Sequence, residues 1–180
     1  MKKWLLILLL IPGCIVFYSC KNHNTGVVVL PAQQEDKMSE NDPFVDGNKR
    51  IVQLENEEIA LFIKRYQWNM RNTGTGLRIE ITETTNGKIP KEGNTVTLSY
   101  TTSLLTGETV YRSGESGDKS FVVDRTEEIS GLHEAVKLMK KGESARLIIP
   151  SHLAYGVSGD GNRIKGLTPL VMHVTLVDIQ

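Results

Sequence analysis

The chain has 180 residues, enough for one ordinary domain with attachments rather than two full domains. Lysine plus arginine number 21, as do aspartate plus glutamate, so there is no basic excess to drive binding to nucleic-acid phosphates. A hydrophobic share of 39% with 23% charged residues is globular composition, while two cysteines and four histidines leave little material for a metal cluster.

Met1-Lys2-Lys3 is a short cationic start that runs into the apolar stretch Trp4 to Ile11, a Pro12-Gly13 break and Ile15-Val16-Phe17. The stretch is interrupted and shorter than the ~20 residues a spanning helix needs, so residues 1–19 read as an export signal. Both cysteines, Cys14 and Cys20, lie here, and neither staples the mature chain. Ser19-Cys20 resembles a bacterial lipoprotein cleavage site, which makes Cys20 the expected lipid anchor. Cys14 is the rival, but it would leave Ile15-Val16-Phe17 exposed at the new N-terminus. Acyl chains contribute ~0.8 kcal/mol per buried methylene, so several on one cysteine attach the chain to a membrane without a spanning helix. The expected location is the bacterial envelope, at the outer membrane facing the periplasm, because Lys21-Asn22-His23 lacks an acidic cluster.

Residues 20–47 read as a polar tether with a reach of roughly 30 Å. Its one apolar piece, Val27-Val28-Val29-Leu30, is either a docking element or an idle strand. Residues 48–75 read as an N-terminal helix and its stop. The spacing predicts a helix over 48–71, with Ile59, Phe62, Ile63, Tyr66 and Met70 on one stripe. That stripe buries either against the following domain or against a second copy of itself, which would make a homodimer.

After Gly76 the apolar period changes to two. Leu77, Ile79 and Ile81 alternate, Asn86-Gly87 turns, and Val96, Leu98, Tyr100 and Thr102 alternate again. Thr106-Gly107 reads as a hairpin turn before Val110-Tyr111, and Phe121-Val122-Val123 as another short strand. A helix is expected over 129–140, with Leu132, Ala135, Val136 and Met139 on one face and Gly142 past its end. Ala145, Leu147 and Ile149 alternate, a glycine-bearing loop covers 151–168, and a last strand runs over 170–179. Strands with one inserted helix predict an α+β fold, an antiparallel sheet wrapped over that helix.

Several chemistries lack their residues. His23, His133, His152 and His173 are scattered with no ligand at helical spacing, and His173 is expected to face solvent. The glycine pairs at 74–76, 114–117 and 159–161 do not follow a buried strand into a helix, so no phosphate loop is present. Ser116 lacks a nucleophile turn, and Glu127-Glu128 reads as a solvated helix start.

The order Asn94 to Thr101, Thr106-Gly107-Glu108, Glu128-Ile129-Ser130-Gly131-Leu132, Met139-Lys140-Lys141-Gly142-Glu143, Ile149-Pro150-Ser151 and Ala154-Tyr155-Gly156 resembles the FKBP-type peptidyl-prolyl isomerases over residues 76–180. With Cys20 and the Gly74-Thr75-Gly76-Leu77 lead-in, the chain is most similar to the gliding-motility-associated FKBP lipoproteins of Bacteroidetes-type bacteria. The resemblance implies an isomerase of X-Pro bonds in exported polypeptides, with no cofactor, no metal and no nucleic acid. It implies catalytic roles for Tyr155, whose hydroxyl would hold a substrate carbonyl, for Ile129 through its backbone N–H, and for Tyr100. Val110, Tyr111, Phe121, Leu132, Leu167 and Met172 would bind the substrate. Val110-Tyr111 stand where the family usually has Phe-Asp, which implies modest activity or altered substrate choice.

Overall fold

The computed structural model describes residues 43–180; the export-signal and Cys20 anchor expectations, and the tether expectation up to residue 42, lie outside the described residues, whereas residues 43–47, expected to belong to the tether, already form the start of a helix. Helix α1 covers Pro43–Tyr66. Strands β1 (Arg71–Asn72), β2 (Arg78–Glu83), β3 (Thr95–Leu104) and β4 (Thr109–Arg112) follow. The short helix α2 (Ser113–Ser116), strand β5 (Lys119–Val122), helix α3 (Ser130–Val136), strand β6 (Ser144–Ile149), a 3-10 turn (Ser151–Leu153) and strand β7 (Leu170–Ile179) complete the order. All pairings are antiparallel, in the order β1-β2-β6-β7-β3-β4, with β5 also on β3. The α+β architecture expected from the sequence is the one found.

Alternation decides what each face of the sheet buries. Ala145, Leu147 and Ile149 of β6, and Leu170, Met172, Val174 and Leu176 of β7, join α3 residues Leu132, Ala135 and Val136, and Met139 just past the end of α3, in the main core. The intervening Ile148 and Val171 point to the other face, where they meet Ile59 and Phe62 of α1 in a second cluster. Ile59 and Phe62 of the α1 stripe are therefore buried against its own domain, with Ile63 packed beside them, while Tyr66 is 50% exposed.

Helix α1 ends at Tyr66, five residues before the predicted stop, so Met70 lies outside it. Gln67 takes a left-handed φ of 55°, the Trp68 N–H bonds the Ile63 carbonyl at 3.2 Å and the Gln67 N–H bonds that of Lys64 at 3.3 Å. This is a Schellman stop in which glutamine fills the place glycine normally takes, so no sequence signal announced it. The reversal brings Trp68 against Phe62 (5.3 Å), under the Arg146 guanidinium (5.1 Å) and edge-on to His173 (5.9 Å). His173, expected to be merely solvated, has an aromatic neighbour.

Helix α3 spans seven residues rather than twelve, because Leu138 and Met139 bond back in tighter turns to Ala135 and Val136. Its first turn lies so close to β6 that a Cβ on Gly131 would run into Ile149 and sit 3.2 Å from the Leu153 carbonyl oxygen. Gly131→Ala should lower stability by about 1–3 kcal/mol, the usual cost of overpacking. Thermal unfolding reads the effect; an unchanged midpoint would show that Ile149 moves aside freely.

Candidate active site

Val110 on β4, Phe121 on β5, Ile129 and Leu132 at the start of α3, and Met172 on β7 are all at most 8% exposed and belong to one cluster. Because β4 and β5 both pair with β3, they carry Val110 and Phe121 to the same side of that strand as Tyr100. Tyr100, Tyr111 and Tyr155 pack against the cluster while staying partly exposed. The five apolar residues do what any core does. The three tyrosines mark where this core meets solvent.

Tyr155 sits in a loop held at both ends. The Ser151 carbonyl accepts the N–H groups of Ala154 (3.1 Å) and Gly156 (2.8 Å), and the Gly156 carbonyl accepts the Leu167 N–H (2.8 Å). Burial pushes the Tyr155 phenol up to about 12, helped by the negative charge of Glu128 and Asp160 and by Tyr111 and Tyr100. Its hydroxyl therefore keeps its proton at neutral pH and remains a hydrogen-bond donor.

Ile129 presents its backbone N–H at the head of α3, but that N–H donates to Glu128 Oε1 at 2.9 Å. The other oxygen of Glu128 takes the Lys119 ammonium at 2.7 Å, and Lys119 lies 5.6 Å from the centre of the Tyr100 ring. The Glu128 side chain is 11% exposed, so the expectation of a solvated carboxylate is corrected: a backbone donor and a cation together hold it down. Nearby, His133 fixes the turn before α3. Its Nδ1 accepts the Asp124 N–H (3.0 Å), which leaves Nε2–H to donate to the Thr126 carbonyl (3.1 Å), with the ring edge-on to Phe121 at 5.0 Å.

A carboxylate from the 156–168 loop reaches Tyr111 on β4. The Tyr111 hydroxyl donates to Asp160 Oδ2 at 2.5 Å and accepts from Asn162 Nδ2 at 3.2 Å. Burial works against ionising Asp160 but is outweighed by Tyr111 and by the N–H groups of Asn162 and Ile164, which hold its carboxyl below the usual range. The hydrogen bond to Asp160 in turn pushes the Tyr111 phenol up. The pair ties the 156–168 loop to β4.

Leu167 does not join the other expected substrate-binding residues. It is 45% exposed with φ of 56°, because the chain must turn left-handed there for its N–H to reach Gly156. Ile164, which the sequence reading passed over, turns into the core from the same loop at 3% exposure. Val157, Ile164 and Leu167 are alike by composition, and no period within the loop distinguishes the inward one. A second close approach shapes this loop: a Cβ on Gly166 would collide with the Val157 carbonyl. Among the described residues no group of three His, Cys, Asp or Glu side chains is placed to hold a metal ion.

A sheet over one short helix, with a tyrosine-rimmed apolar cluster and no catalytic dyad, is the setting for the comparisons with known proteins. The family described as FKBP-type peptidyl-prolyl cis-trans isomerase matches residues 87–177. The probable FKBP-type peptidyl-prolyl cis-trans isomerase FkpA of Neisseria meningitidis is 32% identical over 137 residues, covering 75% of this chain and 50% of that protein. The outer membrane protein MIP of Legionella longbeachae is 31% identical over 106 residues, covering 59% and 45% respectively. The crystal structure of FkpA from Escherichia coli aligns with a TM-score of 0.63 at 29% identity, covering 76% of this chain and 64% of that one. The chain belongs to the FKBP-type peptidyl-prolyl cis-trans isomerase family. It spans half or less of the length of these two curated relatives.

Proposed function

We propose that the chain accelerates cis/trans rotation of X-Pro bonds in exported polypeptides at the bacterial envelope. The barrier to that rotation is ~18–20 kcal/mol, most of it amide resonance lost as the bond twists. A catalyst of this step needs neither nucleophile nor metal. It needs an apolar seat for the proline ring and donors that favour the twisted amide over either planar form. The observation that carries the reading is Tyr155, a phenol held protonated by burial at the edge of an apolar cluster inside the family-matched segment. In this reading its hydroxyl holds a substrate carbonyl, Ile129 and Tyr100 assist, and Val110, Tyr111, Phe121, Leu132 and Met172 seat the proline.

The envelope location draws support from the relative named an outer membrane protein and from the Cys20 motif. The narrower resemblance to gliding-motility lipoproteins adds a role in motility or envelope protein folding. A homodimer through α1 would use its outer face, where Ile51, Leu54 and Leu61 are 39%, 51% and 65% exposed, since Ile59 and Phe62 of the stripe are buried in their own domain.

The test is exchange spectroscopy by NMR on an X-Pro peptide, comparing the full chain with Tyr155→Ala. Exchange well above that of the free peptide, falling about tenfold in the variant, is the expected result; that factor corresponds to about 1.4 kcal/mol of lost transition-state preference. Exchange no faster than the free peptide would favour a second reading, a docking or chaperone module with little turnover. The observation on its side is the Ile129 N–H, already engaged by Glu128.

A further inference from the structure

We infer that Glu55 of α1, on the far side of the sheet, is a positioning residue for the loop that carries Tyr155; the inference rests on the isomerase reading above. Glu55 is 9% exposed, an unusual place for a carboxylate unless its oxygens are engaged. Both are engaged, and by one residue. Ser151 donates its backbone N–H to Oε1 at 2.6 Å and its hydroxyl to Oε2 at 2.5 Å, and Ser151 is itself 4% exposed.

Ser151 opens the 3-10 turn that delivers Tyr155. Its N–H has no partner within that turn, a place where helices commonly recruit a side-chain acceptor. Its carbonyl accepts the N–H groups of Ala154 and Gly156, one on each side of Tyr155. A continuous path of hydrogen bonds therefore runs from the α1 carboxylate through a single serine to the backbone that flanks the tyrosine.

Neighbouring groups fix the other side of Glu55. Arg78 is the charged group facing it, and that guanidinium donates to Asn56 Oδ1 at 2.9 Å and to the Gly76 carbonyl, so it braces α1 and the 74–76 turn. A separate tie holds the same loop to α3: His152 Nε2 bonds the Thr75 carbonyl (3.0 Å), and the Thr75 hydroxyl donates to Glu134 (2.8 Å). Glu55 is the tie that comes from α1. Without it the 151–156 turn loses its N-terminal anchor, and a misplacement of about 1 Å at a reacting centre can cost on the order of a hundredfold in rate.

The test uses the full chain and the variants Glu55→Ala, Glu55→Gln and Ser151→Ala, with the exposed Lys64→Ala as a surface control. Glu55→Ala is expected to lower kcat about tenfold while KM stays within about twofold, and to shift the Tyr155 and Gly156 amide resonances. Glu55→Gln keeps an acceptor for the Ser151 N–H and should restore most of the rate. Ser151→Ala removes only the hydroxyl donor and should lower kcat about threefold. If Glu55→Ala and Ser151→Ala lower the unfolding midpoint but leave kcat and those resonances as in the parent, Glu55 is a structural tie alone and the inference fails. Should Glu55→Ala not fold, Ser151→Ala and Glu55→Gln decide by the same two readouts. A parent chain that does not accelerate exchange would sink the isomerase reading instead, while the resonance shifts would still decide the placement of Tyr155.

Discussion

Glu128→Ala should raise kcat/KM for an X-Pro peptide by about tenfold. In the structure Glu128 Oε1 takes the Ile129 N–H, the donor that a substrate carbonyl would use at the head of α3. A substrate must first displace that carboxylate, and a hydrogen bond to a charged group is worth about 1.5–3 kcal/mol. Part of this is recovered in the new bond, so a net gain of about 1.4 kcal/mol, or tenfold, is the reasonable expectation for removing the competitor. The change also removes one of the negative charges that raise the Tyr155 phenol, which should fall from about 12 without approaching neutrality, so the donor is kept. Glu128→Gln retains an acceptor and should give a smaller gain. Progress curves at several peptide concentrations measure the effect. A rate that drops on Glu128→Ala would show that the carboxylate orients the Ile129 N–H rather than blocking it, and would remove the structural support for the low-turnover reading.

Leu132→Ala should cost about 2–5 kcal/mol of stability. Leu132 is fully buried in the main core that also holds Leu147, Met172 and Leu176, and truncation there leaves a cavity that close-packed neighbours close only in part. Its two roles make different predictions. A residue that acts mainly as core loses stability in proportion to the atoms removed, whereas the floor of an open pocket loses activity and little stability. Denaturant unfolding, with the slope checked for constancy, separates the two. A loss below about 1 kcal/mol, with exchange activity gone, would place Leu132 in the pocket and outside the core.

Much of this organisation is written in local periods. The alternation of Leu77, Ile79 and Ile81, of Val96, Leu98 and Tyr100, and of Ala145, Leu147 and Ile149 marks strands whose inward residues are buried, except Ile81 and Tyr100, which are partly buried against the same core. The 3.6-residue spacing of Leu132, Ala135 and Val136 marks the helix, with Met139 in the tighter turn just past its end, and the order of short motifs around Tyr155 carries the family. These features depend on residues a few positions apart, so the chain itself displays them.

What escaped the sequence depends on partners brought from far along the chain. Asp160 reaches Tyr111 across 49 positions and Glu55 reaches Ser151 across 96, distances at which no spacing rule operates. Gln67 ends α1 in a conformation glycine would have signalled, held there because Trp68 is captured between Phe62, Arg146 and His173. Ile164 rather than Leu167 turns inward because the Gly156 carbonyl draws the Leu167 backbone to the surface. Local pattern is enough to say which residues are strand, helix and core. The choice of which carboxylate caps which donor belongs to the folded chain, because a buried polar group takes whatever partner the fold leaves within hydrogen-bond reach.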